Sequence, residues 1–222
     1  MDAVKNTDSM NKFYKFAIGL MKPFIKLFFR LDIHGLENVP ESGGLVLAAN
    51  HRSNWDPLYL AVILKSRMLH FMAKRELWKF PPLGKLIEAL GAYPVNRGRR
   101  DVKAIETARN IIKKGQILAI FPEGHRSFRG EPLPVQSGVG LIAAQTGADV
   151  LPISIYCDGK VGFFKKITIR FGQIIKNHEF NFSNPLRSSE RKAASRMIME
   201  RIHELAGLRH AEDKQGRRLS SL

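Results

Sequence analysis

Apolar positions recur at three- and four-residue spacing near the start of the chain: Phe13, Phe16, Ala17, Leu20, Phe24, Leu27, Phe28 and Leu31. Such a row is one face of an amphipathic helix. Lys15, Lys22, Lys26 and Arg30 fall on a separate stripe. Pro23 lies inside the row and predicts a break into two shorter helices, because proline lacks a backbone donor and crowds the preceding turn. Beyond the leader the pattern changes. Leu36 to Pro40 reads as a short strand or loop and Glu41-Ser42-Gly43-Gly44 as a turn. Leu45 to Ala49 is an uninterrupted apolar run of strand length, the mark of a strand covered on both faces.

Polarity switches abruptly at Asn50, and a helix is expected from Pro57 with Asp56 as its N-cap, continuing through Leu58 to Leu64. Met68 to Ala73 reads as a strand, and Arg75 to Leu90 as a helix disturbed at Pro81-Pro82 and ended by Gly91. Tyr93 to Asn96 is a short strand. Val102, Ile105, Ala108 and Ile112 mark a surface helix that starts at Asp101 and closes at Gly115. Ile117 to Phe121 is a buried strand, Gln136 to Thr146 a helix, and Val150 to Tyr156 and Ile167 to Phe171 two further strands. Ala194, Ile198, Ile202 and Leu205 line one face of a last helix, Ser188 to Leu208. The alternation predicts an α/β fold: a mixed, largely parallel sheet flanked by helices, preceded by the amphipathic helical segment. The expected division is 1–34 for membrane-surface helices, 35–208 for the folded domain, and 209–222 for a frayed basic tail with Arg209, Lys214, Arg217 and Arg218.

Charge and cysteine content narrow the partners. Of the 222 residues, 36 are Lys or Arg and 20 are Asp or Glu, so the formal net charge is +16 and the protein is drawn to something anionic. Nucleic acid, acidic lipid and a phosphorylated substrate all qualify on charge alone. A lone cysteine, Cys157, excludes an internal disulfide and fits a reducing, cytosol-facing compartment. A spanning helix needs about 20 mostly apolar residues, and the uncharged stretch between Lys15 and Lys22 is far shorter. The leader therefore reads as lying on an anionic membrane surface, although the same faces would also suit a helix packed on the domain.

Two polar knots follow buried strands at their carboxyl ends, where ligands bind in α/β sheets. The first is Asn50-His51-Arg52-Ser53-Asn54-Trp55-Asp56. A histidine there serves as general base when a carboxylate fixes its tautomer, and His51 with Asp56 has the right types. Ser53 lacks the glycine-flanked elbow of a nucleophilic serine. No close histidine pair of metalloprotease type is present, so no metal is expected. The second knot is Phe121-Pro122-Glu123-Gly124-His125-Arg126-Ser127. Arg126 offers a planar fork for a phosphate, and Gly124 lets backbone approach a ligand. Glu123 is placed to hold the arginine or to accept from a substrate hydroxyl. A third cluster, Gly91-Ala92-Tyr93-Pro94-Val95-Asn96-Arg97, brings Arg97 as a second phosphate ligand. Each knot also has a plainer reading: a helix cap for Asp56, ordinary turn chemistry for Pro-Glu-Gly, and a solvated basic loop around Arg97.

In this order and spacing the clusters resemble the glycerophosphate acyltransferase family, and especially its lysophosphatidic acid acyltransferase branch. The first knot is similar to the family's first motif, histidine, four residues, then aspartate. Gly91 to Arg97 is similar to its second, Phe121 to Ser127 to its third, and Val150-Leu151-Pro152-Ile153 to its fourth. Two departures stand out: His125 where the third motif usually has threonine, and Tyr93-Pro94-Val95 where the second usually has an aromatic and then isoleucine.

The resemblance implies an acyltransferase that carries a fatty acyl group from acyl-CoA or acyl carrier protein to the sn-2 hydroxyl of lysophosphatidic acid. His51 and Asp56 would be catalytic, and Arg97, Glu123, Gly124, Arg126 and Ser127 would bind substrate. Neither cofactor nor metal is implied, since the thioester is a co-substrate. The implied setting is the cytoplasmic face of a membrane, with no nucleic acid partner. Other readings are an acyltransferase for glycerol-3-phosphate or another lysophospholipid, a nucleic-acid-binding protein, and a membrane scaffold without catalysis.

Overall fold

The computed structural model describes residues 12–96, 101–128, 133–185 and 187–207. Helix α1 covers Lys12–Phe28 and strand β1 Arg30–His34, followed by β2 at Leu45–Ala49 and α2 at Asp56–Ile63. Strand β3 (Leu69–Lys74), α3 (Pro81–Ala89), β4 (Ala92–Val95), α4 (Val102–Lys113) and β5 (Ile117–Ile120) come next. Helix α5 (Gly138–Thr146), β6 (Val150–Tyr156), β7 (Lys166–Phe171) and α6 (Ser188–Ala206) complete the described order.

The strands form one sheet in the order β1-β7-β6-β2-β5-β3-β4. Among the described strands only the β6–β7 pairing is antiparallel; the others are parallel, as the alternating pattern predicts. Strand β2 lies inside the sheet and is buried at every position. Its alternate residues enter two cores. Leu45, Leu47 and Ala49 pack with Ile25 of α1 and Tyr59 of α2. Val46 and Ala48 face the other way, onto Ala108 of α4, Ile142 of α5 and Ile198 of α6. The result is a three-layer helix–sheet–helix arrangement, with loops at the carboxyl ends of β2 and β5 left side by side.

The leader differs from its sequence reading in three ways. It is one helix that runs through Pro23, not two. Pro23 and Gly19, the residue four positions before it whose carbonyl the proline leaves unbonded, are both exposed, so solvent can take the lost bond. Leu31 does not extend the helical face, because residues 30–34 leave the helix and pair in parallel with β7. The apolar row also divides. Tyr14, Ile18 and Ile25 are buried, and the Tyr14 hydroxyl accepts the Leu69 backbone N–H at 3.3 Å. Phe16, Leu20 and Leu27 face away, 69%, 64% and 68% exposed. Leu36–Asn38, expected as a short strand or loop, is a short 3₁₀ helix, and the expected helix from Gln136 begins at Gly138. Arg97 and the basic tail 209–222 lie outside the described residues.

Candidate active site

Asp56 organises the turn after β2. It is fully buried, and four donors converge on its carboxylate. Oδ2 accepts from His51 Nδ1 at 2.7 Å, from Arg52 N–H at 2.7 Å and from Ser53 N–H at 2.8 Å, while Oδ1 accepts from the Ser53 hydroxyl at 2.8 Å. The sequence pattern predicts Asp56 as the cap of the following helix. Instead it is the first residue of α2, with Trp55 at the cap position, and its side chain turns back to satisfy the N–H groups of the loop before it. An acceptor so placed keeps the proton of His51 on Nδ1, which leaves Nε2 with a lone pair.

The loop after β5 completes the pocket around the imidazole. Phe121 stacks on the His51 ring, with centroids 4.1 Å apart and planes 16° from parallel. The His51 N–H donates to Glu123 Oε2 at 2.8 Å, and the Ser127 N–H donates to the His51 carbonyl at 2.8 Å. Glu123 is buried, and burial pushes its carboxyl up to about 7, against the lowering effect of backbone donors from His51 and Leu133 and of the Arg52 charge. It holds the His51 backbone. Arg126 bonds instead to Asn54, in the loop that carries His51, and its guanidinium lies 5.5 Å from the centre of the Phe128 ring. Gly124 takes φ +68°, a turn conformation in which its N–H reaches the Phe121 carbonyl at 3.0 Å.

Arg126 and His125 open onto a basin of about 1190 Å³ whose walls include Lys74, Arg75, Lys79 and Lys103. Glu76 and Asp101 are the acidic groups lining it, so the basin favours an anion. Asn96, the residue before Arg97, also lines it. The architecture thus places a partly exposed imidazole on a buried carboxylate, and a cationic basin, on adjoining loops.

A family model described as Acyltransferase matches residues 30–156, from the first strand of the sheet to the end of β6. The chain belongs to the acyltransferase family. This acyltransferase is 31% identical over 196 residues to a 1-acyl-sn-glycerol-3-phosphate acyltransferase of Bacillus subtilis, a match spanning 86% of the chain and 96% of the relative. It is 28% identical over 195 residues to the enzyme of that name from Streptococcus pneumoniae, covering 85% of the chain and 68% of the relative. Among solved structures, the 1-acyl-sn-glycerophosphate acyltransferase PlsC of Thermotoga maritima superposes with a TM-score of 0.61 at 27% identity. That match covers 84% of this chain and 80% of PlsC.

Of the acyltransferase's proposed site residues, His51, Asp56, Glu123 and Ser127 meet directly, Gly124 shapes the turn, and Arg126 reaches the same loop through Asn54. Three contributors carried no assigned role in the sequence. Phe121 supplies the stacking surface. Asn50 clamps the loop to β6, its side chain accepting from Ile155 N–H at 2.7 Å and donating to the Ile155 carbonyl at 2.9 Å. Arg52 is buried, with its guanidinium on the carbonyls of Cys157 at 3.1 Å and Gly159 at 2.6 Å. A charged side chain inside a motif that follows a buried strand was the available sign for Arg52.

Proposed function

We propose that this acyltransferase moves a fatty acyl group from an acyl thioester to the sn-2 hydroxyl of 1-acylglycerol-3-phosphate, forming phosphatidic acid. The relatives named for that reaction support the acceptor. The 2.7 Å contact between His51 Nδ1 and the buried Asp56 carboxylate carries the chemistry. His51 Nε2 removes the hydroxyl proton as the acceptor oxygen attacks the thioester carbon. The C–O bond forms and the C–S bond breaks, and the proton passes from the imidazolium to the departing thiolate. Asp56 stabilises the imidazolium while it exists. Backbone N–H groups or a nearby side chain stabilise the oxyanion.

Arg126 and Arg97 take the acceptor phosphate in this reading, supported for Arg126 by its place at the cationic basin. Ser127 and Gly124 fix the loop that presents Arg126, and Glu123 fixes the His51 backbone beneath the acceptor. The donor is acyl-CoA or acyl carrier protein. Helix α1 rests on an anionic membrane surface at the cytoplasmic face. Its exposed Phe16, Leu20 and Leu27 beside Lys15, Lys22 and Lys26 support that placement. No described helix is long and apolar enough to cross a membrane.

The test is direct. Purified protein is incubated with lysophosphatidic acid and either labelled acyl-CoA or labelled acyl carrier protein, with glycerol-3-phosphate as a competing acceptor. Labelled phosphatidic acid is the expected product. Labelled lysophosphatidic acid from glycerol-3-phosphate alone would replace the acceptor, and no transfer from either donor would overturn the reading.

A further inference from the structure

The connection between β6 and β7, residues 157–165, ends in two exposed phenylalanines that the reaction does not use. Phe163 and Phe164 are 53% and 64% exposed. Phe164 holds φ +62°, a left-handed conformation that side chains other than glycine rarely adopt, and its N–H donates to the Phe28 carbonyl at 2.7 Å. That bond fixes the loop to the end of α1. The Phe28 ring lies 5.4 Å from Phe163 and 5.8 Å from Phe164, centre to centre. Exposed Leu27 is next to Phe28 in the chain, so exposed apolar side chains of α1 and of the loop meet at the same end of the helix. Basic residues accompany both elements: Lys12, Lys15, Lys22 and Lys26 on α1, and exposed Lys160 and Lys165, beside Asp158, in the loop.

We infer that the β6–β7 loop is a second lipid-contacting element, its Phe163-Phe164 tip entering the same anionic phospholipid surface as α1. The inference rests on the membrane reading of α1 and adds a second point of contact. Two apolar tips bordered by ammonium groups match a surface with anionic headgroups over hydrocarbon. A contact at two points also fixes the orientation of the domain. The loop bears on the catalytic turn from two sides. Phe163 packs at 6.2 Å from Trp55, and Arg52, whose own N–H meets the Asp56 carboxylate, grips the loop carbonyls of Cys157 and Gly159. Lipid contact at the tip therefore holds the His51 turn beside the bilayer that contains the acceptor.

The experiment is flotation of the full chain with phosphatidylglycerol-rich vesicles, and separately with phosphatidylcholine vesicles, without acyl donor. Phe164→Asn suits the left-handed backbone and so leaves the fold intact, which an unchanged melting temperature verifies. It is expected to weaken partition to the anionic vesicles about tenfold, as loss of one partly inserted aromatic side chain should. Leu20→Gln reports on α1 alone. If Leu20→Gln loses binding while Phe164→Asn stays within about twofold of the parent, the loop inference is overturned and the α1 reading stands. If the parent floats with neither vesicle, the membrane reading itself fails.

Discussion

The backbone N–H of His51 meets the carboxylate of Glu123 at 2.8 Å, a bond between residues 72 positions apart in the chain. It joins the loops after β2 and β5, which are neighbours in the sheet, and it places a buried carboxyl directly behind the proposed base. This bond, the Ser127 N–H on the His51 carbonyl and the Arg126 bond to Asn54 tie the two loops into one unit, so changes in the second reach the chemistry of the first.

Glu123 gives a pH dependence of known sign. Its folded carboxyl titrates near 7, above the ordinary 4.5, because burial disfavours the charge. The folded state thus binds this proton more tightly than the unfolded one. The stabilisation is complete below about 4.5 and is lost as pH rises through about 7. The loss is on the order of 3 kcal/mol. Glu123→Gln keeps an acceptor for the His51 N–H without the titration. In urea unfolding from pH 5 to pH 8, the parent should lose stability relative to Glu123→Gln, and parallel curves would refute the assignment.

Asp56→Asn tests the hub of the turn. Arg52 N–H, Ser53 N–H and His51 Nδ1 all meet Oδ2, so the amide oxygen can take that place while its NH₂ faces the Ser53 hydroxyl, which turns to accept; the hydrogen bonds are kept and the negative charge is lost. Replacing charge-assisted bonds by neutral ones should cost about 1–3 kcal/mol in total. Turnover should fall at least a hundredfold, as expected when the imidazolium loses its anionic partner. A variant with normal stability and turnover would show that the carboxylate does neither job.

Arg126→Lys separates charge from geometry. Lysine keeps the positive charge and loses the planar fork. The KM for the phosphorylated acceptor should rise roughly tenfold, with the donor KM unchanged, since a charge-assisted bond contributes about 1.5–3 kcal/mol. Steady-state kinetics with each substrate varied in turn provide the check. A rise confined to the donor KM would move Arg126 to the donor site.

Gly140→Ala probes packing away from the site. A Cβ there would lie 2.1 Å from the Arg191 carbonyl oxygen and 2.8 Å from Ser195 Oγ, so α5 and α6 would have to separate. Destabilisation of about 1–3 kcal/mol is expected from such overpacking. The melting temperature should drop while turnover at low temperature is retained; an unchanged melting temperature would mean that the helices part freely.

Much of this was legible in the chain because the signals were local. The run Leu45–Ala49 reads as a doubly covered strand, and the polar residues after it and after Ile120 mark the ends where loops can bind ligands. The sequence hid what depends on distant partners. Strand β1 continues the apolar spacing of the leader, and only pairing with β7, more than 130 residues later, makes it a strand. The split of the leader's apolar face depends on where Tyr14 and Ile25 find the core. Likewise Phe121 under His51 and Asn54 beside Arg126 are contacts between loops, which spacing within either motif does not encode.

The proposed reaction depends above all on the imidazole of His51 removing the acceptor's proton. Turnover of His51→Ala with lysophosphatidic acid and the better acyl donor tests it most directly. A fall of about 10² to 10⁴ in kcat is expected, with the melting temperature close to that of the parent. A folded His51→Ala protein that turns over within about threefold of the parent would contradict it.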